Sequence, residues 1–246
     1  MAVTGEKPAR YRTIDAERVI ATAELLEARI SDRFPESGLR KVAVELIALG
    51  RDIAREAKAL EAPIRWLRIL TVVTILIGIA IIAFVMTILS FDRIDTGAFD
   101  FVQGIEATLN TILLVGLGII TLTQMELRVK RRKVFDGLHA LRSMIHVIDM
   151  HQLTKDPAAL SNDFQPAAHS PQRKLNAADL SRYLDYCSEM LSITGKLAAL
   201  YAQSVNDEVV VQAVNDVEGL GTNLSRKIWQ KIIMIAEKSG AVRRNG

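Results

Sequence analysis

Residues 69–91 read ILTVVTILIGIAIIAFVMTILSF, 23 positions without one ionisable side chain. At a helical rise of 1.5 Å per residue they extend about 34 Å, enough to cross a hydrocarbon core of roughly 30 Å with some tilt. A buried helix of a soluble bundle is the alternative reading of such a run. A second stretch, residues 107–125 (ATLNTILLVGLGIITLTQM), has 19 uncharged positions, about 28 Å as helix. Asn110, several threonines and Gln124 lower its hydrophobicity, so it is expected to be the better shielded from lipid. The two segments predict a transmembrane helical hairpin with a short external loop over residues 92–106.

The flanks orient it. The connecting stretch holds one basic residue, Arg93, against Asp92, Asp95, Asp100 and Glu106. Arg65 and Arg68 precede the first span, and Arg128, Lys130, Arg131, Arg132 and Lys133 follow the second. An excess of Lys and Arg beside spans marks the cytoplasmic side, so both termini are expected there, in a bacterial cytoplasmic (inner) membrane. Trp66 fits an interfacial anchor on that side. The seven basic side chains are the candidate contacts to anionic lipid headgroups, each attracted by roughly 1 kcal/mol.

The rest of the composition agrees. Half of the 246 residues are apolar although 24% are charged, and the mean hydropathy is +0.20, so the two kinds of residue must be segregated. Aromatic residues are 5% and glycine and proline are few, a helix-forming mixture that predicts an all-α chain. The net charge of +3 is accounted for by the collar beside the spans, and no nucleic-acid partner is expected. Cys187 is the only cysteine, which excludes an intramolecular disulfide. Residues 1–17 lack the apolar core of a cleavable signal, leaving the first span as the insertion signal.

On either side, amphipathic stripes predict cytosolic helical arms. Asp15 is placed to cap a helix bearing Val19, Ala23, Leu26 and Ile30, ending near 34–38 (FPESG). A second helix repeats Leu39, Val42, Leu46, Leu49, Ile53, Leu60 and Ile64 at near-heptad spacing, with Pro63 a boundary or kink before the first span. Packing on its own neighbours is the simpler reading of that repeat than an intermolecular coiled coil. After the basic collar, Val134, Leu138, Leu141, Ile145 and Ile148 extend the second span into a cytosolic helix over 129–153. Residues 154–175, with Pro157, Pro166 and Pro171, have the composition of a flexible linker. A C-terminal helical hairpin over 176–238 follows. Its first helix is capped near Asn176 with Leu180, Leu184, Cys187, Leu191 and Ala198 on one side. Its second starts at 207–208 and carries Val210, Val214, Val217, Leu224, Ile228, Ile232 and Ile235. Gly219 and Gly221 are its expected weak points, and 239–246 is expected to fray. This pair leaves apolar surface that the N-terminal arm, or another copy of the chain, must cover.

No phosphate loop, metalloprotease helix, nucleophile elbow or cysteine cluster is present, and neither a catalytic residue nor a cofactor is expected. His139 and His146 lie seven apart, about 10.5 Å along a helix, too far to share one ion unaided. They, His151 and His169 read as solvated or headgroup-facing, and Cys187 as a small core residue. The more informative pattern lies along the second span. Gln103, Glu106, Asn110, Thr121, Gln124 and Arg128 fall within roughly 60° at 100° per residue, with Leu114 and Leu117 between them. Such a face should meet protein or water. The simpler expectation is that it packs against the first span, where Thr74 and Gly78 permit close approach. In an oligomer it could instead line a pore, Glu106 and the loop aspartates forming a cation-attracting outer ring and the leucines a gate.

Segments 180–200 (LSRYLDYCSEMLSITGKLAAL) and 224–233 (LSRKIWQKII) resemble a set of uncharacterised bacterial two-transmembrane-helix membrane proteins with cytosolic helical arms. That resemblance implies no activity and no residue roles. The layout alone is similar to two-span effector modules of nucleotide-signalled bacterial defence systems, which implies membrane perforation. Taken together, the expected function is a homo-oligomeric scaffold or interaction protein, contacting membrane lipids and possible cytosolic protein partners, with an oligomeric ion channel as the alternative.

Overall fold

A computed structural model describes residues 13–91, 98–160, 165, 167–169 and 175–244. Every regular element among them is helical: α1 (Ala16–Arg33), α2 (Gly38–Glu61), α3 (Arg65–Phe91), α4 (Ala98–Leu153), a short 3-10 turn (Pro157–Leu160), α5 (Ala177–Ser204) and α6 (Glu208–Arg244). The described residues divide into two compact units, those within 13–61 and 134–244, and those within 62–133.

In the first unit local signals set the ends. The Asp15 carboxylate accepts from the backbone N–H of Glu17 at 3.0 Å and of Arg18 at 3.4 Å, a cap that contributes about 1 kcal/mol. The Ser37 hydroxyl donates to the Phe34 carbonyl and accepts from Arg40 N–H, turning the chain into α2. Asn176 caps α5 reciprocally: its side-chain oxygen accepts from Asp179 N–H at 2.8 Å while its amide donates to the Asp179 carboxylate at 2.7 Å.

These caps aim apolar stripes at one core. Val19, Ala23, Leu26 and Ile30 of α1 are buried, as are Leu39, Val42, Leu46, Ile53 and Leu60 of α2. Val134, Leu138, Leu141, Ile145 and Ile148 from the last part of α4 join them. The central element is α5, which packs against α1, α2 and α6. Besides the predicted Leu180, Leu184, Cys187, Leu191 and Ala198 it buries Tyr183, Tyr186, Met190, Ile193, Leu197 and Tyr201, because neighbours surround it on several sides. The N-terminal arm therefore covers the C-terminal pair, and the α2 repeat is spent inside the chain. Each fully buried Leu or Ile contributes about 1.5–3 kcal/mol.

The structure corrects several sequence expectations. The second long helix begins at Ala98, so residues 98–106 continue the helix rather than belonging to the expected loop; they contain no proline, and Asp100 suits a helix N-terminus. The remainder of that loop, 92–97 with Arg93 and Asp95, lies outside the described residues. α6 is unbroken at Gly219 and Gly221, and continues to Arg244 past the point of expected fraying, where Ala and Arg are good helix formers. A Cβ on Gly221 would lie 3.5 Å from the Leu191 carbonyl oxygen, an ordinary contact distance, so Gly221 faces α5. Most of the expected linker, 161–164, 166 and 170–174, is outside the described residues. Its start forms the 3-10 turn, where the Pro157 carbonyl accepts from Lys238. His151 is only partly exposed, and its Nδ1 lies 3.3 Å from the Tyr183 hydroxyl.

The second unit holds two helices long and apolar enough to cross a membrane. Their most apolar 18-residue windows have mean hydropathies of 2.6 and 1.8, and only 11% and 0% of those windows is buried. A core helix of a soluble bundle would be mostly buried. The broad apolar surfaces of α3 and α4 here face outward, with Ile69, Leu76, Phe84, Leu109 and Leu113 all more than half exposed.

Candidate functional site

The two apolar helices meet along a narrow face rich in small and hydroxyl residues. On α3 it consists of Leu67, Thr71, Thr74, Gly78 and Ile82, the only side of that stretch with reduced exposure among the described residues. On α4 the less exposed positions include Gly104, Thr108, Thr111, Val115, Gly118 and Leu122. A Cβ on Gly78 would come within 2.5 Å of Val115 Cγ2, and one on Gly118 would sit 3.4 Å from Thr74 Cγ2. Small side chains thus let the backbones approach, the usual basis of helix pairing in lipid. The threonines satisfy their hydroxyls on their own helices: Thr71 donates to the Leu67 carbonyl, Thr74 to Leu70, Thr108 to Gly104 and Thr111 to Ala107.

Glu126 closes one end of this pairing. Its carboxylate accepts from the backbone N–H of Ile64 at 3.2 Å and pairs with Lys130 at 3.3 Å. Ile64 directly precedes α3 and follows Pro63, which cannot donate. Glu126 therefore serves as a cap supplied from another helix, at the positive end of the α3 dipole. Sequence reasoning placed Pro63 at the boundary but missed this partner, since nothing in local spacing couples residues 62 positions apart.

The polar stripe lies elsewhere. Glu106, Asn110, Leu114, Leu117, Thr121, Gln124 and Arg128 are all exposed, Leu114 at 66% and Leu117 at 56%. The Gln103 side chain is outside the described set. The expected packing of this stripe against the first span is therefore not observed: the small-residue face of α4 takes that position, and the stripe points well away from it, on the other side of the helix. Thr121 bonds its own Leu117 carbonyl at 2.8 Å. The side-chain amides of Asn110 and Gln124 have no hydrogen-bond partner among the described residues.

In the basic collar, Arg65, Arg68, Arg128, Arg132 and Lys133 are exposed, Arg131 is partly buried and Lys130 is drawn onto Glu126. Arg65 and Arg68 line an open hollow of about 470 Å³ with Ile69, Val72 and Val73, placing cationic groups directly beside apolar surface. Trp66 is 54% exposed next to them.

A groove of about 1040 Å³ between α1, α2 and the end of α5 is lined by five acidic and three basic residues, and Arg51 and Glu24 there pair at 2.6 Å. Burial pushes the Cys187 thiol up to about 12, which makes it a poor nucleophile. His139 and His146 are exposed on α4, and among the described residues no group of three His, Cys, Asp or Glu could hold a metal ion. No protein-family model, curated protein or solved structure matches the chain.

Proposed function

We propose that this chain is a membrane-anchored, homo-oligomeric scaffold. The α3–α4 hairpin anchors it in the bacterial cytoplasmic membrane, and the helical bundle is presented in the cytoplasm to further copies or to a protein partner. The observation that carries this reading is the exposed polar face of α4. Carboxamides left without partners in hydrocarbon cost several kcal/mol, the chain's own first span does not meet them, and lipid tails cannot. Further copies of the chain can. The excess of Lys and Arg at one end of both apolar helices supports a cytoplasmic bundle, with the collar against anionic headgroups. The role proposed is a non-catalytic one.

The mass of the detergent-solubilised chain tests it. Light scattering coupled to size exclusion is expected to give a multiple of 27.2 kDa after subtraction of detergent, and a monodisperse single copy would overturn the scaffold.

A second reading is an ion-conducting pore, favoured by the placement of Glu106 and Arg128 at opposite ends of the stripe with Leu114 and Leu117 between them. The two charges are about 33 Å apart along the helix, close to the hydrocarbon thickness. Purified protein in liposomes would then pass cations, and Glu106→Gln with Asn110→Leu would reduce the flux. No flux, or flux unaffected by these substitutions, removes the pore.

A further inference from the structure

Along the outward side of α4, six exposed residues recur at steps of four, three, four, three and four: Glu106, Asn110, Leu113, Leu117, Ile120 and Gln124. That is the repeat of a coiled-coil seam. The small-residue face that takes α3 carries the same repeat from Gly104 to Leu122, about half a turn round the helix at 100° per residue. α4 thus has two seams on opposite sides, and among the described residues the chain itself fills only one of them.

We infer that the outer seam packs against the same seam of another copy of this chain, in parallel and in register. The inference rests on the homo-oligomeric reading and names its interface. A second copy is the occupant because the two carboxamide positions are complementary to themselves, while Glu106, the one charged position, lies at the outer end of the seam, beyond the uncharged run of 107–125. Asn110 and Gln124 are 14 residues apart, two heptads, so they occupy equivalent seam positions with Leu117 midway. In a parallel pair each amide meets its own counterpart, and a carboxamide both donates and accepts. Copies inserted by the same signals share one orientation, which makes parallel register the available one. The hydroxyls nearby do not compete, since Thr111 and Thr121 already donate to their own helix. Polar residues at such positions fix register and copy number in soluble coiled coils and act as interhelical glue in lipid. Leu113, Leu117 and Ile120 supply the knobs between the two polar layers.

Cysteine crosslinking of the full chain in native membranes tests the seam, in a Cys187→Ser background. Leu117→Cys is on the seam; Ile112→Cys, 54% exposed on another face of α4, is the control. Oxidation is expected to give a disulfide dimer at 117 and little at 112, since bridging needs Cα atoms within about 7 Å. Asn110→Leu with Gln124→Leu should weaken the association about 5- to 30-fold, lowering the crosslinked fraction. If the solubilised chain is oligomeric but 117 crosslinks no better than 112, the seam is overturned while the scaffold reading stands. If the chain is monomeric, both fall. Labelling of Leu117→Cys by a membrane-impermeant, charged thiol reagent overturns the dry seam and favours the pore.

Discussion

The same residue type plays opposite parts at different points of the bundle, and glycine shows this best. Gly137 of α4 faces Tyr201 of α5, and a Cβ there would overlap the phenol, with Cζ only 2.6 Å away. Tyr201 cannot step aside, because it is fully buried and its hydroxyl donates to the Glu56 carboxylate at 2.7 Å. Gly219 of α6 has nothing within 4 Å of the same construction. Gly219→Ala should therefore raise thermal stability by about 0.5–1 kcal/mol through helix propensity. Gly137→Ala should lower it by about 1–3 kcal/mol through overpacking. Thermal unfolding of the solubilised protein measures both, and equal shifts in one direction would show that the α4–α5 contact is looser than described.

His151 offers a second test at this scale. Burial, then the nearby Lys155, holds its imidazole below the ordinary histidine range. The ring packs on Gly38, at the start of α2, and beside the Tyr183 hydroxyl. A group with a depressed pKa in the folded state binds fewer protons there than in the unfolded state, so stability rises with pH. The contribution is complete above about 6.5, the unfolded value, and is lost as pH falls below it toward the folded pKa. Melting temperature should thus fall between pH ~7.5 and ~5.5, on either side of that value, and His151→Gln should flatten that fall. An unchanged slope in the variant would assign the acid sensitivity to other groups.

At the scale of elements, the hairpin shows where reading a sequence by hydropathy stops. The 23- and 19-residue uncharged runs were legible because lipid leaves few alternatives to an unbroken apolar helix. The stripes of α1, α2 and α6 were legible because each helix buries a single side. Which face of α4 meets α3 was not. Amide and hydroxyl content points to any polar surround, whereas helix pairing in lipid is decided by side-chain volume. The signal that could have found it is the recurrence of Gly104, Thr111 and Gly118 opposite Thr74 and Gly78. A disulfide between Thr74→Cys and Gly118→Cys, without Cys187, is expected to form within one chain. Gly78→Leu should abolish it by wedging Val115 away. Persistence of the bond in that variant would mean the pairing rests on other contacts.

At the scale of the whole molecule, α5 marks the second limit. Its tyrosines and Met190 do not fall on the single stripe read from the sequence, because α1, α2 and α6 pack around this helix and leave only a narrow solvent side along Arg182, Ser192, Lys196 and Gln203, so that several faces are buried at once. In the proposed assembly the exposed outer face of α4 is likewise covered by other copies of the chain. Both the anchor and the assembly depend on one statement about topology: that the apolar helices cross the membrane and leave both arms in the cytoplasm. Alkaline phosphatase, active only outside the cytoplasm, tests this most directly when fused at Thr96, between the two apolar helices, and at Gly246. The account predicts an active fusion at Thr96 and an inactive one at Gly246; activity at Gly246 with none at Thr96 would contradict it.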